Sequence, residues 1–189
     1  MIIAVKDGNK ALLAFVNAYD TINLSARDFY NEENIPVRIW KDKGMVCGFS
    51  EFTRISDKFL YDDEFLAEEV TPLAFMRDII PDLKEKSKQE NAVSSKGKWD
   101  NELVVCVGEK IFSVDEDFVL READDFAMYG ISRDLFKSCL LETKGLPARE
   151  RVVKSVQFAA KILRNEFYPI AIVDTESLQL EFIEKGDMQ

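Results

Sequence analysis

The sequence predicts an α+β fold, a four-layer αββα sandwich of two antiparallel sheets packed face to face with helices outside. Three observations predict it. Strand-like and helix-like stretches come in segregated blocks rather than in strict alternation, and segregation favours antiparallel sheets covered by helices. The first fifty residues carry two hairpin signals. The chain has 189 residues, 47% of them hydrophobic, which suits one domain over 1–189 with its own core. No linker or internal repeat interrupts it.

The elements follow in order. Residues 2–6 (IIAVK) and 11–16 (ALLAFV) are short apolar runs joined by Asp7-Gly8-Asn9, a hairpin signal. The polar stretch 17–34 allows only short irregular strands. IPVRIW at 35–40 and MVCGF at 45–49 form a second hairpin around Lys41-Asp42-Lys43-Gly44. A helical stretch falls within 51–70, marked by Phe59, Leu60, Phe65 and Leu66. Thr71-Pro72 then starts a helix, with Thr as N-cap and Pro at the first helical position. Leu73, Phe75, Met76, Ile79, Ile80 and Leu83 recur at helical spacing, and Pro81 kinks or ends the helix unless a second segment continues it. Residues 84–101 lose the apolar period and read as a solvated loop, whose five lysines lack the aromatic interleaving of an anion groove. ELVVCVG, KIFSVDEDF and VLREADDFAMYG make a run of three strands. Residues 133–142 form a helix. Another opens at Leu146-Pro147-Ala148-Arg149, with Val152, Val153, Val156, Phe158, Ala159, Ile162 and Leu163 as its apolar face. YPIAIVD at 168–174 is a buried strand, and SLQLEFI at 177–183 closes the sheet.

Composition excludes several functions. Thirty-five acids against 25 bases give a net charge of −10, which repels phosphate backbones and anionic lipid. Nucleic acid and membrane are therefore not expected partners. The opening MIIAVKDGNK lacks a basic start and a long apolar run, so a cytoplasmic protein is expected. Cys47, Cys106 and Cys139 are odd in number and widely spaced, and read as buried reduced thiols. There is no histidine. Its absence removes Ser-His-Asp and Cys-His sites and most transition-metal sites, and no cofactor is expected.

The element order, with several local stretches, resembles the proteasome β-subunit and HslV-like family. Ile2-Ile3-Ala4-Val5-Lys6 with Gly8 is similar to the family's opening strand pair. Val37-Arg38 through Gly48-Phe49 resembles the strand pair before its first helix. Phe112-Ser113-Val114-Asp115 is similar to the strand and turn after its long helix. Phe126-Ala127-Met128-Tyr129-Gly130 and the following helix resemble the strand, Gly-Ser-Gly turn and third helix. Residues 146–162 and Ile170-Ala171-Ile172-Val173 resemble the next helix and strand. The resemblance implies an N-terminal-nucleophile (Ntn) hydrolase fold.

It also implies a site. Active members need threonine, serine or cysteine as first residue, with its own α-amine (pKa about 8) as general base. Here the matching residue is Met1, followed by Ile2, and neither is a nucleophile. Processing to Thr21 or Ser25 would discard the first hairpin. The family's acidic position falls at Val16–Asn17, and its lysine, which lowers the nucleophile's pKa, falls at Pro36. Arg38, two residues on, is a poor substitute for that lysine. Of the Gly-Ser-Gly turn Gly130 remains, and Ser132 offers a hydroxyl, though it reads first as a helix N-cap before Arg133.

With Met1, Asn17, Pro36, Gly130 and Ser132 all degenerate positions, the leading expectation is a non-catalytic structural or binding subunit. It would form a homo-oligomer or engage a protein partner, since related subunits build rings through helix faces, and its site near Met1 would be closed or filled. An amide hydrolase with a relocated nucleophile, from Cys47, Ser50 or Ser132, is the alternative. An acidic adaptor using Asp62-Asp63-Glu64, Glu68-Glu69 and Glu122-Asp124-Asp125 is the third.

Overall fold

Alternate residues of the opening strand bury toward opposite sides, and this sets the layering. The computed structural model describes residues 1–16, 37–41, 44–50, 71–130, 132–164, 167–184 and 186, with Arg38 and Trp40 as backbone only. Strand β1 (Ile2–Asp7) pairs antiparallel with β2 (Lys10–Val16) across the predicted Gly8 turn. Ile2 and Ala4 face one apolar cluster, while Ile3 and Val5 face another. Both faces are covered, which is why the strand reads as an unbroken apolar run.

The first sheet has the order β10-β9-β2-β1-β8, with β8 (Phe126–Tyr129), β9 (Ile170–Asp174) and β10 (Glu181–Ile183). The second has the order β3-β4-β5-β6-β7, with β3 (Val37–Trp40), β4 (Met45–Phe49), β5 (Leu103–Val107), β6 (Lys110–Val114) and β7 (Leu120–Ala123). Among the described residues all these pairings are antiparallel. Between the sheets lie Ile2, Ala4, Ala11 and Leu13 from one side and Val46, Val104, Cys106 and Ile111 from the other. Thr175 ties the layers together: its hydroxyl accepts from the Ala11 N–H at 3.1 Å and donates to the Gly108 carbonyl at 2.7 Å.

Helices cover both outer faces. Helix α1 starts at Pro72–Ala74, passes through a π-helical stretch Phe75–Ile79 and continues as Ile80–Gln89. It places Phe75, Ile79 and Leu83 on the second sheet, against Phe112 and Phe49. Helices α2 (Arg133–Glu142) and α3 (Ala148–Leu163) cover the first sheet with Phe136, Leu140, Val152, Val156 and Ala159. The three cysteines are buried, and none is in a disulfide among the described residues.

Several expectations need correction. Pro81 does not end α1. The π turn, in which the Ile80 N–H donates to the Phe75 carbonyl, shifts the hydrogen-bond ladder just before it, and a proline without an N–H fits at that break. The helix runs on to Gln89, because small Ser87 continues the buried face that residue size, not hydrophobicity, allows. Within 90–101, Trp99 is buried, stacked on Phe118 and edge-on to Phe49. The stretch 119–130 is not one strand: it breaks at Asp124-Asp125 into β7 and β8, which belong to different sheets. Residues 177–180 are not strand either. Asp174 accepts from the Glu176 and Ser177 N–H groups, and Leu178 turns left-handed before β10 begins. On α3, Phe158 and Ile162 are exposed because they lie well off the buried 152–156–159 stripe. The helix expected within 51–70 lies outside the described residues.

Candidate functional site

Met1, where the sequence resemblance leads one to expect the nucleophile, directly precedes β1, an interior strand of the first sheet, and is only 4% exposed. Its nitrogen donates to the Val16 carbonyl at 3.0 Å, and its carbonyl accepts from the Val16 N–H at 2.8 Å. Its thioether packs in the apolar cluster under α2 and α3. Gly130 closes the other side. With φ at +112°, it presses so near that a Cβ there would lie 2.9 Å from Met1 Cα. Met1 is thus tied to Val16 by two backbone hydrogen bonds and closely approached by Gly130.

Past Gly130 the chain turns into α2. Ser132 adopts a left-handed conformation (φ 63°) and makes no side-chain cap bond, so the N-cap expectation fails. A true N-cap sits in extended backbone, where its oxygen reaches the next turn's N–H groups. Ser132 instead lines a cavity of about 700 Å³, with Tyr129, Gly130, Arg133, Asp134, Leu135, Leu163, Glu102 and the turn Asp115-Glu116-Asp117. Its walls carry five carboxylates. Asp115 caps its own turn, accepting from the Asp117 and Val119 N–H groups, and pairs with Arg121 at 2.8 Å. Burial pushes its carboxyl up, but Arg121 and those N–H groups outweigh it and hold it below the usual range. Tyr129 donates to Ser113 at 3.1 Å, and burial keeps its phenol proton on, raising the pKa.

The other candidate nucleophiles sit elsewhere. Cys47 is fully buried beneath α1. Ser50 is 4% exposed, and its hydroxyl lies 2.9 Å from Asn101 and 2.5 Å from Glu102, latching the end of β4 to the start of β5. The structure thus brings together Met1 and Gly130, and Gly130 and Ser132 line the cavity, which Met1 does not. Asn17 and Pro36 lie outside the described residues, as does the Arg38 side chain. No group of residues suited to a metal occurs among the described residues, and none of their helices is long and apolar enough to cross a membrane.

The site has two supports that the sequence did not announce. The turn between β7 and β8 is held by Arg151 of α3, which donates to both carboxylate oxygens of Asp125 at 2.7 and 2.9 Å and to the Leu140 carbonyl at 2.7 Å. The Tyr129–Ser113 bond links β8 to β6 across the sandwich. A basic residue at a core-facing helical position, Arg151, was the signal available for the first.

This architecture is the proteasome-type Ntn-hydrolase fold. Solved structures of that class superpose on nearly the whole chain. BPH from Thiobacillus denitrificans matches with TM-score 0.67 and 14% identity over 92% of this chain and 96% of its own. HslV from Trypanosoma brucei matches with TM-score 0.59 and 16% identity over 90% and 97%. Anbu (ancestral beta-subunit) from Yersinia bercovieri matches with TM-score 0.62 and 12% identity over 97% and 87%. No protein-family model and no curated protein matches the sequence.

Proposed function

We propose that this chain is a non-catalytic protein of the proteasome fold, acting as a structural or binding subunit in a homo-oligomer in the cytoplasm. One observation carries the reading: Met1, which the resemblance aligns with the family's nucleophile, is buried, hydrogen-bonded to Val16 and pressed against Gly130. An Ntn hydrolase needs a reactive oxygen or sulfur there, with a free amine beside it, and a thioether in a packed core supplies neither. The relocated-nucleophile alternative draws nothing from Cys47 or Ser50, which are buried. Ser132 lines the cavity, but no hydrogen bond from its hydroxyl to a carboxylate is seen among the described residues.

Intact-mass spectrometry tests this reading. The untagged protein is expected to retain Met1, to gain no mass on incubation with epoxomicin (present in a second BPH structure), and to release nothing from fluorogenic peptides. A chain starting at threonine, serine or cysteine, or a covalent epoxomicin adduct, overturns the proposal.

A further inference from the structure

We draw no further inference here: the strongest candidate, the cavity of about 700 Å³ between the Asp115-Glu116-Asp117 turn and the start of α2, carries nothing, because that acidic turn is already partnered within the chain, Asp115 by Arg121 and Glu116 and Asp117 by Lys98, and no second feature among the described residues points to a ligand there.

Discussion

Gly130 is held in place by a contact across 129 positions of sequence. Its φ of +112° is strained for any side chain, and the atom nearest a new Cβ is the backbone Cα of Met1, which the Val16 hydrogen bonds keep from yielding. Gly130→Ala is expected to destabilise the fold by about 2–3 kcal/mol in urea unfolding; a loss under about 0.5 kcal/mol would mean that Met1 shifts freely. The sequence marked Gly130 as what remains of a family turn, yet the reason for a glycine there is tertiary. Ser132 shows the same limit. Its position before a helix suggested a cap, but its backbone is left-handed, its side chain makes no cap bond, and it lines the cavity instead.

Helix ends and strand runs were more legible, because local chemistry decides them. Thr71 caps α1 as read, its hydroxyl accepting from the Ala74 N–H at 3.2 Å. Thr71→Ala is expected to lower stability by about 1 kcal/mol in thermal or urea unfolding, with Thr71→Ser largely preserving it. Strands buried on both faces announced themselves as unbroken apolar runs. Two kinds of element escaped. The 119–130 stretch changes sheets because Asp125 is claimed by Arg151, twenty-six residues downstream, and no local pattern records that. The last turns of α1 lost their apolar period because Ser87, small and polar, holds a buried position. The cavity escaped for a related reason: Glu102, the 115–117 turn, Ser132 and Leu163 meet only when both sheets and two helix ends are assembled.

At the scale of the molecule, pH stability follows from which groups titrate. The chain has no histidine, so no ordinary side chain changes charge between about pH 5.5 and 7.5. Burial pushes the Cys106 thiol still further above that range. Below it, carboxylates decide. The double hydrogen bond from Arg151 holds Asp125 below the usual range, against the opposing push of burial. Asp115 and Asp174 are pushed up by burial but held lower by their hydrogen bonds. A folded pKa below the unfolded one means the native state binds its proton less tightly. Each such group therefore contributes stability that is fully present above the unfolded value of about 4 and is lost as pH falls through the lower folded value. Asp100, raised by burial, works in the opposite direction. The unfolding midpoint is expected to stay flat from about pH 7.5 to 5.5 and to fall below about pH 4. Arg151→Met separates the Asp125 share. Arg151 is 3% exposed and Asp125 27%, so removing the guanidinium is expected to cost about 3 kcal/mol at neutral pH, the low end for a buried pair. Below about pH 4 the gap to wild type narrows, because protonated Asp125 no longer needs its partner. Parallel pH profiles for wild type and Arg151→Met would show instead that Arg151 acts through packing and its bond to the Leu140 carbonyl alone.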